Sequence, residues 1–191
     1  MFLSVAALIL TGVQLSGADV DVRLRSYGAS IALRYDFVDP PGEVILRAIE
    51  LPGRDLTVVE SSEVLRPGAE GTGLEWHVVL GGSTLLIQYE VTGEIDRLPL
   101  ILPNMATVPG VSTVRMRVSG NTVGLSLVDA FPRMSLAAGG VLEANPTNMP
   151  SVIILPRDRR LSLSRLFDGA TLLLLGLASI YWFGRRQVGN S

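Results

Sequence analysis

Residues 20–37 read VDVRLRSYGASIALRYDF. Ahead of the Tyr27-Gly28 pair, Val20, Val22 and Leu24 alternate with Asp21, Arg23 and Arg25. Beyond it, Ile31, Leu33, Tyr35 and Phe37 alternate with Ala32, Arg34 and Asp36. A period of two gives each run one apolar and one polar face, the signature of a half-buried β-strand rather than of a helix. Asp39-Pro40-Pro41-Gly42 then supplies a turn.

The same rhythm continues outward from this stretch. Residues 44–51 form a denser apolar run, and their β-branched side chains and the following Pro52 argue for strand over helix. Residues 56–59 make a short run. Leu74, Trp76, Val78 and Leu80 alternate with Glu75, His77 and Val79, and Gly81-Gly82-Ser83 leads into Leu85, Ile87, Tyr89 and Val91. So short a glycine-rich link predicts a hairpin. Further strands are expected at 111–118, at 123–128 after a Gly120-Asn121 turn, and at 152–155. Together these predict an all-β chain, an antiparallel β-sandwich of about 8–10 short strands over residues 19–156. Trp76, Tyr35, Phe37 and Tyr89 are the expected core anchors.

One stretch breaks the pattern. Residues 98–110, LPLILPNMATVPG, hold three prolines among apolar residues. Proline cannot donate to a ladder, so the stretch reads as a sheet edge or a crossing connection. Exposed, Leu100 and Leu102 would make a partner surface. Packed beneath the sandwich, they would belong to the core instead.

Both ends of the chain are apolar. Residues 1–13 are an uncharged run, followed by small residues at Ser16 and Ala18. This is the spacing of a signal peptide over 1–18 with Asp19 as the mature start, although the run has no basic residue ahead of it. Residues 169–183, GATLLLLGLASIYWF, are also uncharged, and Arg185 and Arg186 follow. An apolar body, then the ring pair Tyr181 and Trp182 at headgroup level, then charge, is the order of a membrane-spanning helix. The fold class therefore includes one C-terminal transmembrane α-helix at 166–184, after an arginine-rich juxtamembrane segment at 157–165 and before a short cytoplasmic tail at 185–191. The run from Asp168-Gly169-Ala170-Thr171 to Arg185-Arg186 resembles the C-terminal sorting tails that exosortase-type enzymes process, except that Phe167 stands where those tails carry proline. It is similar to generic stop-transfer segments as well. The resulting topology is a single-pass membrane protein with its domain exported to the periplasm or cell exterior. If residues 1–18 are instead part of the domain, the chain is tail-anchored with a cytoplasmic domain.

Composition narrows the chemistry. All 16 basic residues are arginine and there is no cysteine. Schiff-base lysines, P-loop lysines, thiolate nucleophiles and cysteine metal sites are thereby excluded. A net charge of −2 argues against nucleic acid as partner. His77 is the only histidine, and Ser83 beside Gly81-Gly82 is ordinary turn chemistry rather than a nucleophile elbow. Asp36, Asp39 and Glu43 bracket one turn and are weak candidates for a calcium ion, without the spacing of a known loop. Arg115 and Arg117 point outward on one strand and suit a carboxylate or phosphate on a partner. The expected function is a non-catalytic module, without cofactor, that sits at the lipid bilayer and binds a protein partner. A carbohydrate- or surface-polymer-binding module is the alternative. A carboxylate-based hydrolase is a third reading, which requires two acidic groups about 5–10 Å apart in a cleft.

Overall fold

The computed structural model describes residues 15–38, 42–68, 74–104 and 113–157. The stretch expected to form a transmembrane helix, with Tyr181, Trp182, Arg185 and Arg186, lies outside the described residues, as do Asp39 and most of the expected leader. Among the described residues no helix is long and apolar enough to cross a membrane.

The described chain is nearly all β. Its strands are β1 (Leu15–Leu24), β2 (Ala29–Phe37), β3 (Glu43–Ala48), β4 (Asp55–Ser61), β5 (Leu65–Pro67), β6 (Leu74–Val79), β7 (Thr84–Thr92), β8 (Arg97–Pro99), β9 (Leu102–Pro103), β10 (Thr113–Gly120), β11 (Ser135–Leu136), β12 (Leu142–Ala144) and β13 (Val152–Ile154). One sheet runs β11-β12-β10-β1-β2-β7-β4, a second β5-β6-β3-β9, and β13 pairs with β8 alone.

Alternation explains why these sheets pack. In β1 and β2 the side chains of Val20, Val22, Leu24, Ile31, Leu33, Tyr35 and Phe37 are buried, as are Leu85, Ile87, Tyr89 and Val91 of β7 and Val114, Met116 and Val118 of β10. Val44 and Leu46 of β3 and Val78 of β6 come from the smaller sheet into the same apolar cluster, with Trp76 packed at its margin. The result is a sandwich-like arrangement with one core, in which no charged residue is buried among those described and the Tyr35 and Tyr89 hydroxyls are buried with hydrogen-bond partners. Tyr35, Tyr89 and Phe37 are the anchors the sequence indicates; Trp76 is only partly buried.

Four expectations need correction. The apolar runs at 74–80 and 85–91 are strands, but they do not form a hairpin. β6 pairs with β3 and β5, whereas β7 pairs with β2 and β4. The Gly81–Ser83 link carries the chain from one sheet to the other. It is held by the Gly81 N–H on Glu63 Oε1 at 3.0 Å and by the Ser83 carbonyl, which accepts from the Phe37 N–H at 2.8 Å. A glycine-rich link permits either path, and the partner strands farther along the chain decide between them. Secondly, the architecture is not wholly antiparallel, since β1 and β10 run parallel with Asp19 beside Arg115 and Asp21 beside Arg117. Most of the domain separates them, so no tight turn forces an antiparallel pairing. Thirdly, residues 123–128 form no strand. Val123 and Val128 are exposed, and Leu125 makes a lone bridge to Arg157. Finally, the described strands number thirteen, because several are only two or three residues long.

β1 begins at Leu15, so the expected cleavage point after Ala18 falls inside this strand. Leu15 and Ala18 are buried and pair with Phe37 and Tyr35.

Gly120 closes β10 with φ near +91°, and a side chain there would be driven into the Leu24 carbonyl. Both the backbone angle and the lack of space oppose any other residue. Gly120→Ala is expected to lower stability by about 1–3 kcal/mol in a denaturant titration, with the fold retained.

Candidate functional site

The outward face of the larger sheet carries the arginines that the sequence singles out. Positions 19 and 21 on β1 alternate away from the core, and the parallel register sets Arg115 and Arg117 of β10 beside them. On the other flank, antiparallel pairing with β2 brings Arg34 next to Asp19 and Ala32 next to Asp21. Because Ala32 is small, the middle of the face sinks into a shallow groove of about 350 Å³. Its walls include Asp19, Asp21, Arg34, Leu86, Arg115 and Arg117.

Each arginine at this groove is held by one carboxylate. Arg115 Nε lies 3.2 Å from Asp19 Oδ1, Arg117 Nε 3.5 Å from Glu143 Oε1, and Arg34 Nε 3.1 Å from Asp36 Oδ1. In all three the carboxylate approaches Nε, a geometry that turns the Nη1/Nη2 edge away from it. That edge is the fork that binds carboxylate or phosphate in bidentate fashion. The arginine side chains are well exposed, so these pairs are worth little to stability and serve chiefly to orient the guanidinium groups.

The remaining sequence candidates are dispersed. Asp36 Oδ1 accepts hydrogen bonds from Arg34 Nε and, at 2.8 Å, from Thr84 Oγ1. Glu43 belongs to the other sheet and lies 3.0 Å from His77 Nδ1. No group of three or more His, Asp or Glu side chains placed to hold a metal occurs among the described residues. Asp39 lies outside that set. Leu100 is fully buried, so the idea that it presents a partner surface is corrected; it packs with Leu98 and Ile101 in the core. Leu102 is partly buried at the β9 edge and flanks a separate surface hollow with Arg47 and Ile49. The prolines of this segment fit its edge role, since β8 and β9 are short and each has one partner strand.

His77 sits on the outward face of the smaller sheet. Glu43 occupies its Nδ1 side, and Glu75 Oε1 lies 3.4 Å from its Nε2. Glu75 is in turn bonded by Arg47 Nε at 2.7 Å. Both ring nitrogens therefore face carboxylates rather than a serine, an arrangement of a polar sheet surface. Sequence reasoning missed Arg54, whose guanidinium is largely buried and ties Pro52 O, Glu94 O and Asp96 together. It fastens the turn before β4 to the turn after β7, and only the tertiary fold brings those turns together.

No family model matches the chain, and no curated protein matches it. Among solved structures it is similar to an M1 zinc metallopeptidase from Deinococcus radiodurans, at 15% identity over 76% of this chain and 42% of that one, with a TM-score of 0.40. It is similar also to native leukotriene A4 hydrolase from Saccharomyces cerevisiae, at 7% identity over 75% of this chain and 29% of that one, with a TM-score of 0.39. The chain spans less than half the length of either. Likeness this distant carries nothing of their chemistry across.

Proposed function

We propose that the chain is an exported, membrane-anchored, non-catalytic interaction module that binds an acidic segment of a protein partner on the outward face of its larger sheet. The observation that supports this reading is the set of three arginines around one groove, each held from its Nε side by a carboxylate. Preoriented guanidinium groups lose less freedom on binding than free ones, so recognition of a carboxylate rests on their open edges and not on net charge, since Asp19, Asp21, Asp36 and Glu143 offset the three arginines. The apolar ends support the membrane part of the reading, through the uncharged run over 1–13 and an anchor over 166–184.

A photoreactive residue placed at Leu86, on the groove wall, tests the proposal in the native membrane. One discrete adduct is expected, and Arg115→Glu with Arg117→Glu should abolish it. Both arginines are exposed, but the glutamates would stand opposite Asp19, Asp21 and Glu143, so the double variant should cost about 1–2 kcal/mol in urea titration with the fold retained. The same adduct at undiminished yield in that variant would exclude the groove as the docking surface.

A further inference from the structure

Residues 121–131 leave the sheet after β10 and return along β13, and they carry exposed apolar side chains. Val123 is 87% exposed, Val128 83% and Phe131 55%. They sit on a firmly held stretch. Leu125 bridges Arg157, Ser126 N–H donates to the Pro156 carbonyl at 2.7 Å, and Phe131 and Ile154 exchange two backbone hydrogen bonds. The turn that starts this stretch touches the β1–β2 turn, through the Asn121 N–H on the Leu24 carbonyl, and that neighbouring turn carries Tyr27, 72% exposed. Exposed Arg133 and Arg157 flank the apolar residues, and Asp129 is taken up by a hydrogen bond from Ser126 Oγ.

What covers this surface follows from where the chain leaves it. The described chain ends at Arg157, against Leu125. Only eight residues, 158–165, separate Arg157 from the apolar run that begins at Leu166, and three of the eight are arginine. Eight residues span at most roughly 26–29 Å. If the run from Leu166 enters a bilayer, that reach keeps the chain's exit beside Leu125 near enough to the headgroups for the neighbouring apolar residues to touch them. Exposed valines and aromatic rings flanked by arginine are the side chains that a lipid interface accepts.

We propose that Val123, Val128 and Phe131 form a second membrane contact, seating the domain on the lipid surface that anchors it. This inference rests on the anchored reading above. The chain contains no cysteine, so single cysteines at Val123, Val128 and, as a control, Val79 on the outward face of β6 each report one position.

The full chain, fluorescently labelled at one of these positions, is reconstituted into vesicles of phosphatidylcholine with a minority of phosphatidylglycerol. Doxyl-bearing lipid is expected to quench the labels at 123 and 128 roughly twofold or more above the label at 79, since interfacial side chains settle about 5–10 Å into the headgroup boundary. Flotation of the same vesicles reads the anchor separately. Chain that floats without preferential quenching at 123 and 128 overturns the second contact and leaves the anchor standing. Self-quenching at 123 and 128 without lipid quenching overturns it in favour of a second copy. Chain that fails to float removes the anchor and this inference together.

Discussion

Replacing both buried tyrosines, Tyr35→Phe with Tyr89→Phe, is expected to cost about 2–6 kcal/mol at neutral pH and to flatten the loss of stability in alkali. Both side chains descend from the larger sheet through the core. The Tyr35 hydroxyl donates to the Ile101 carbonyl, and that of Tyr89 to the Pro99 carbonyl at 3.0 Å. Phenylalanine keeps the rings but leaves two buried carbonyls without their donor, at about 1–3 kcal/mol each. The alkaline effect has a separate origin. Burial, and then the proximity of Tyr89, raises the Tyr35 hydroxyl well above its usual value near 10. Burial raises Tyr89 as well, with a backbone hydrogen bond from Ile101 pulling weakly the other way.

A raised folded-state value means that above about pH 10 the unfolded chain releases these protons while the native one keeps them. The stability this confers is complete below pH 10 and is lost as pH rises, at about 1.4 kcal/mol per pH unit for each tyrosine. With neither lysine nor cysteine in the chain, tyrosines are the only side chains that titrate between about pH 9 and 12. Guanidinium titrations from pH 8 to about 11.5 therefore isolate the pair. An equally steep alkaline decline in the double variant would place its cause elsewhere.

The elements of the fold were legible in the sequence because alternation is local. Each of β1, β2, β7 and β10 shows its buried face largely as every second residue, and a side-chain period of two leaves little freedom in reading it. Pairing is not local, and there the reading failed. Nothing between Val79 and Thr84 records that β6 belongs with β3 and β7 with β2, because that choice rests on which apolar faces meet across the core. Nor does any turn announce that β10 returns parallel to β1. The misread strand at 123–128 has the composition of a strand and no neighbour on the sheet. Its valines face outward because Leu125 alone finds a partner.

The candidate site divides along the same line. That Arg115 and Arg117 face outward follows from Val114, Met116 and Val118 facing in, which one strand suffices to show. That they share a groove with Arg34, and that Asp19 holds Arg115, requires the β1–β10 register, which lies beyond any local pattern. His77 was legible as a surface residue opposite Trp76, whereas its two carboxylate neighbours come partly from β3.

Leu100→Ala is expected to destabilise the domain by about 2–5 kcal/mol, a fall in Tm on the order of 10 °C, without touching partner capture at the arginine groove. Leu100 has no exposed surface, and its N–H donates to the Ser151 carbonyl at 2.9 Å, fixing the segment between β8 and β9 beneath the larger sheet. The two tyrosine hydroxyls meet the carbonyls of Pro99 and Ile101 on either side of it, so shrinking Leu100 leaves a void that the hydrogen-bonded backbone is poorly able to fill. Leu102→Ala, at the partly buried edge, should cost less than half as much. The two readings of this proline-rich stretch thus separate in one thermal scan. A core segment loses stability at 100 far more than at 102, whereas a docking surface would lose binding at both and stability at neither.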